Sequence, residues 1–195
     1  MTHYKHLILS AMAVPLAGLA LSSCATISED ECIAGSWQDI GYNDGRAGNS
    51  RGRFADIAST CAKYDVIPNR NAYMSGYDSG LPLYCTFDNG ISRGESGGDP
   101  NQECIAINAT PYLEGHAEGY AVYQITSEHQ SLIDDYEDAL TALIEVRRRL
   151  DEEDNDADER RRLRKKEIRL DDRREDLRIE VRALERQYGL PRYDF

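Results

Sequence analysis

The sequence predicts a mainly α protein: a small disulfide-stapled domain of short glycine-faced helices, followed by a long charged helical hairpin of coiled-coil character. Three observations predict it. Glycines recur in pairs four residues apart, each pair preceded by an aromatic residue. Four cysteines, Cys32, Cys61, Cys85 and Cys104, bracket those pairs. Near the C-terminus, leucines return every seven residues through a run of charged side chains, which is the spacing of a helical seam. Composition agrees with thin layers and amphipathic contacts: 30% of the 195 residues are charged, and three Phe and one Trp stand against twelve Tyr.

The N-terminal segment, residues 1–23, reads as a signal peptide, with His3, Lys5 and His6 ahead of an uncharged run from Leu7 to Leu21. That run is short of the roughly 20 residues that a permanent membrane-spanning helix needs. Leu21-Ser22-Ser23-Cys24 resembles the lipobox of bacterial lipoproteins. The resemblance implies cleavage before Cys24 and lipidation of its thiol, with more than one acyl chain giving stable anchoring. Ala25, rather than Asp, follows the cysteine, and the same resemblance then implies sorting to the outer membrane with the body facing the periplasm. Residues 24–31 are expected to form a polar tether.

Residues 32–126 hold the cysteines and the glycine pairs. Disulfides persist in such a compartment. Four cysteines allow three pairings, between which sequence alone does not choose. Cys32 with Cys61 and Cys85 with Cys104 are favoured, because each pair brackets one recognisable unit. The second bridge would then staple the stretch from Thr86 to Glu103, which lacks apolar periodicity and is expected to be a loop. Zinc is disfavoured, since there is no C-x-x-C pair and His116 and His129 lie at no ligand-like spacing.

The glycine pairs Gly41 and Gly45, Gly76 and Gly80, and Gly115 and Gly119 follow Trp37, Tyr73 and Tyr112. Offsets of three and four put them on one helical face, and in the first unit the series extends through Gly48 and Gly52. Glycine inside a helix costs up to about 1 kcal/mol relative to alanine, so close backbone packing has to offset it. Three short helices touching along glycine faces is the expected arrangement. Ser36 to Asp39 has capping-box spacing, Thr110-Pro111 reads as a cap followed by a first-turn proline, and Asn71 precedes Tyr73. The tyrosines are expected to be half-buried, with their hydroxyls in water.

These residues also carry a family resemblance. Cys32, Trp37, Gly41, Asp44, Gly45, Gly48, Cys61, the run from Tyr73 through Gly76 and Gly80 to Tyr84-Cys85, then Gly90, Gly94 and Cys104 together resemble the bacterial lipoprotein family of domain of unknown function 2799. The resemblance covers roughly Cys32 to Tyr123. It implies a cell-envelope lipoprotein and carries over no catalytic residue.

Residues 127–188 form the charged tail, and with the terminal extension 189–195 they hold 21 acidic and 16 basic side chains. Tyr136, Leu140, Leu143 and Leu150 make one seam; Leu163, Leu170, Leu177 and Leu184, with Val181 and Tyr188, make another. The two are out of heptad register, and the acidic run Asp151 to Asp158 between them favours a fold-back over a continuous rod. Antiparallel pairing would set Arg174, Arg178, Arg182 and Arg186 against Asp134, Asp135, Asp138 and Glu145.

The net charge of −12 argues against nucleic-acid binding, which draws on clustered Lys and Arg. No nucleophile, metal or cofactor constellation stands out, so neither enzymatic activity nor a cofactor is expected. Asp39, Asn43 and Asp44 fail the spacing of a calcium loop, Asp88 to Gly90 with Asp99 reads better as a solvated turn, and His116 has no partner at a motif spacing. What remains is a membrane-anchored structural or interaction module whose tail engages an envelope protein or a second copy of the chain. A peptidoglycan- or lipopolysaccharide-binding module is the alternative.

Overall fold

The structure, a computed structural model, describes residues 27–195; the signal peptide and Cys24 lie outside the described residues. Among these, eight α-helices and a 3-10 turn account for the regular structure, and there is no strand. Helix α1 (Glu29–Ala34) is held by a capping box in which Ser28 accepts from the Glu31 N–H and the Glu31 carboxylate accepts from the Ser28 N–H. The stretch read as a polar tether is therefore helical from Glu29 onward.

Helices α2 (Trp37–Arg46) and α4 (Arg70–Tyr84) pack face to face through glycine. A methyl at Gly41 or Gly45 would overlap the carbonyls of Tyr73 or Tyr77, and one at Gly76 or Gly80 those of Gln38 or Tyr42. The contact is thus backbone on backbone, where Cα–H groups of one helix meet carbonyl oxygens of the other. Between them lie α3 (Arg53–Cys61) and the 3-10 turn Ala62–Tyr64, joined to α1 by the disulfide Cys32–Cys61.

The same architecture follows a second time. Helix α5 (Phe87–Glu95) packs on the start of α7 (Thr110–Leu150), with Gly90 and Gly94 against the carbonyls of Tyr112 and His116, and Gly115 and Gly119 against those of Phe87 and Ile91. Helix α6 (Gln102–Ala106) is the connector, and the disulfide Cys85–Cys104 ties it to the head of the unit. The two units correspond along their glycine-paired helices, although the connection between those helices is longer in the first. Gly48 and Gly97 both take a left-handed φ directly after the first helix, packed on Tyr84 and Tyr123. Asp65 and Asn108 both take a left-handed φ in the connection that leads to the second, Asp65 at the end of the 3-10 turn and Asn108 just before α7. The expected three glycine-faced helices are therefore four, in two pairs, and the expected loop from Thr86 contains α5, capped by Thr86.

Several local expectations are corrected. Helix α2 ends at Arg46, so Gly48 and Gly52 leave its glycine face for a turn and for the start of α3. Ser36 makes no capping hydrogen bond, α7 starts after Ala109 without a side-chain cap, and Asn69 rather than Asn71 caps α4. Nor are the core tyrosines wet. Tyr73, Tyr77 and Tyr112 are fully buried with Ile57, Leu81, Cys32, Cys61 and Cys104, and the tyrosine hydroxyls are hydrogen-bonded within the protein.

Helix α7 continues without a break across residues 126 and 127 and, after a turn at 151–156, α8 (Ala157–Tyr188) returns along it as a hairpin. Asp156 caps α8 by accepting from the N–H groups of Asp158 and Glu159. The buried seam is Ile133, Tyr136, Ala139, Leu143 and Val146 on one helix, and Leu163, Leu177 and Val181 on the other. Tyr188 is exposed and takes no part in it.

Candidate functional site

Within the first unit, Asp44 is a structural hub. It accepts from the Tyr73 hydroxyl at 2.7 Å and the Asn49 amide at 2.8 Å, and it pairs with Arg53 at 2.9 Å. Burial and then the bond to Asp44 push the Tyr73 hydroxyl far above its ordinary pKa; burial and then the Glu103 carboxylate push Tyr77 up to about 12. Neither phenol is suited to proton transfer near neutrality. His116 occupies the position in the second unit that Tyr77 holds in the first. Its Nε2–H donates to the Gly98 carbonyl at 2.8 Å, as the Tyr77 hydroxyl donates to the Asn49 carbonyl. The histidine is a structural donor.

Where the two units meet there is a polar cleft of about 530 Å³, lined by Tyr84, Arg93, Asp99, Asn101, Gln102 and Glu103 among others. Most of its polar groups are engaged. Asn101 donates to the Gly48 carbonyl, Arg93 to the Asp99 carbonyl, and Glu103 accepts from the Ser50 hydroxyl and the Arg51 N–H. The cleft is a joint between the units. Among the described residues, no group of three or more His, Cys, Asp and Glu could hold a metal ion.

A second site lies at the root of the hairpin, where the chain turns back after α8. Gly189 takes a left-handed φ of 66° that ends the helix, and residues 190–195 fold against the hairpin. Tyr193 and Phe195 pack on Tyr136 edge-on, with ring centroids 6.1 and 4.7 Å away. The fold-back is fixed by Glu185, whose buried carboxylate accepts from the Tyr193 N–H at 2.6 Å and from Arg182 at 2.7 Å, with His129 Nε2 at 3.6 Å. Burial alone would raise the Glu185 pKa, but the bonds from Tyr193 and Arg182 outweigh it and hold the carboxyl below the usual range. At the far end of the same residue's side chain, the Tyr193 hydroxyl donates to Glu137 at 2.6 Å. Between α8 and this returning segment is a cavity of about 590 Å³, lined by Arg178, Arg182, Glu185, Arg186, Arg192 and the apolar Ile179 and Leu190.

The expected charge match across the hairpin is corrected here. Arg174, Arg178 and Arg182 pair with Asp171, Glu175 and Glu185 on their own helix, one turn away. Glu145 likewise pairs with Arg148 on α7. Interhelical pairs are made by Arg147 with Glu167, Arg149 with Glu159 and Arg173 with Asp135. Arg192 joins the site only because the chain folds back, and sequence spacing gives no sign of that beyond the glycine at 189.

These features define a class: an all-helical scaffold of two stapled, glycine-packed units that carries a charged hairpin. Residues 36–121 match the family described as Protein of unknown function (DUF2799), and this segment is similar to that family. The matched span contains all eight packing glycines and three of the four bridging cysteines, and it ends before the hairpin leaves the body. No curated protein and no solved structure matches the chain.

Proposed function

We propose that the protein is a non-enzymatic lipoprotein of the outer membrane, anchored through Cys24 and facing the periplasm, whose hairpin is an arm that engages another envelope protein. One observation carries this reading. Helix α7 is a single 41-residue helix, clamped by glycine contacts at Gly115 and Gly119 in the body and paired with α8 farther on. Such a helix spans about 60 Å at 1.5 Å per residue, and its root cannot swivel independently of the body. An arm mounted this way holds a docking surface at a fixed orientation. Ile144, Ile168 and Ile179 stand on its outside, each more than half exposed, and offer apolar anchor points of the kind that interfaces bury.

Photo-crosslinkers placed in cells at Ile144, Ile168 and Ile179 test the arm. Discrete heteromeric adducts from these positions, and none from Lys63 on the body, are expected; no adduct from any arm position overturns the reading, and adducts of twice the chain mass replace it with self-association. Intact mass of the membrane-extracted chain tests the anchor, with an acylated N-terminal Cys24 expected.

The arginine-lined cavity favours the second reading, a module that binds lipopolysaccharide or another acidic envelope glycan. Co-sedimentation with isolated sacculi and with lipopolysaccharide separates it from the first.

A further inference from the structure

We infer that the cavity between α8 and the returning segment 190–195 binds a multiply charged phosphate-type anion, with Arg186 and Arg192 as its principal ligands. The inference does not depend on the arm engaging a protein. Its basis is convergence. Arg178, Arg182 and Arg186 come from successive turns of α8 and Arg192 from the segment beyond Gly189, so two parts of the chain bring four guanidinium groups to one concavity.

The one carboxylate lining that concavity is already engaged. Glu185 is buried and accepts from Arg182 and the Tyr193 N–H, so it serves the fold-back. Arg178 is held by Glu175 at 2.5 Å, and Arg182 also lies over the Phe195 ring at 4.7 Å. Arg186 and Arg192 are exposed and, among the described residues, stand opposite no acidic side chain within ion-pair distance. In a chain of net charge −12 this is a local excess of positive charge, and its self-repulsion is relieved by an anion. Guanidinium forks suit phosphate oxygens, to which they donate in pairs. The volume falls within the range of about 300–1,000 Å³ typical of small-molecule sites, and Ile179 and Leu190 add an apolar wall that a lipid-linked phosphate could use.

Residues 25–195, which carry the whole described structure and no acyl anchor, are purified, titrated calorimetrically with inorganic pyrophosphate, and in parallel floated with phosphatidylcholine vesicles that contain or lack phosphatidic acid. Saturable pyrophosphate binding assigns a soluble phosphate; flotation that requires phosphatidic acid, without pyrophosphate binding, assigns a lipid headgroup. In either arm, Arg186→Gln with Arg192→Gln should weaken binding by about tenfold or more, as expected for lost charge-assisted hydrogen bonds. Arg161→Gln, on the far part of α8, should leave it unchanged. If the double variant loses helicity, Arg192→Gln alone, outside any helix, serves in its place. The inference is overturned when neither probe binds, or when the arginine variants bind as the wild type does.

Discussion

The body pairs its helices parallel and the arm pairs them antiparallel, and the two are held together by opposite means. In the body, α2 with α4 and α5 with α7 touch backbone to backbone over eight glycines, and the surrounding core is made of buried tyrosines and two disulfides. In the arm, side chains fill the gap: a narrow seam of Leu, Val, Ile and Ala, flanked by ion pairs that are largely in water. Close backbone contact leaves no room for any added atom, so the body is intolerant of substitution but geometrically exact. A seam of side chains can relax around a change, so the arm is tolerant and its stability is spread over many small terms. Because α7 belongs to both, damage to the body should reach the arm more readily than the reverse.

Removing both disulfides should produce the largest effect. Each bridge of this kind contributes about 2–4 kcal/mol, so a reduced or all-serine chain should lose the body's cooperative thermal transition, read by near-ultraviolet circular dichroism, while much of the far-ultraviolet helical signal of α8 persists. A body that melts unchanged after verified reduction would show that the glycine contacts alone suffice.

Leu177→Ala should follow, at about 2–5 kcal/mol, since its side chain is fully buried in the seam. Hydrogen exchange should then rise along the arm and stay slow at Tyr73 and Tyr77; equal loss in both regions would mean that they unfold as one.

Gly76→Ala should destabilise the body by about 1–3 kcal/mol, because the methyl meets the Gln38 carbonyl, a rigid backbone group, and this outweighs the gain in helix propensity. A melting temperature at or above that of the wild type would remove the backbone contact from the account. The same methyl added at Gly189 meets no atom but forces a side chain into a left-handed φ, and should cost less.

Arg147→Ala should cost about 1 kcal/mol or less, in keeping with a half-exposed ion pair. A comparably small effect is expected from acid. The Glu185 pKa is lowered in the folded chain, so its stabilising contribution is present above the ordinary carboxylate range and is lost as pH falls through the lowered value. Below about pH 4 the segment 190–195 should therefore detach before the hairpin opens, read as a change in Tyr193 and Phe195 resonances that Glu185→Gln reproduces at neutral pH.

Much of this was legible because periodicity is a local property. Leu163, Leu170 and Leu177 mark a helix seam wherever they occur, and Gly41 with Gly45 marks a smooth face. Helix α5 escaped notice because Asp88, Asn89, Gly90, Ser92 and Gly94 all have weak helix propensity; the signal that could have found it is the four-residue step from Gly90 to Gly94, the same as in the other three helices. The arginine stripe was visible but its partners were not, because an acid one turn away on the same helix competes with any across the hairpin.

By itself, the sequence determined the helical class, the cysteines able to bridge and the glycine and leucine faces, since these follow from residue spacing and local backbone preference. Tertiary structure alone decided that the glycine helices form two corresponding pairs, that His116 does the work of Tyr77, and that Arg192 returns to join Arg178, Arg182 and Arg186. Each of these depends on which surfaces meet at a distance along the chain. That choice is made by packing and by the hydrogen bonds of buried groups such as Glu185, which no local pattern encodes.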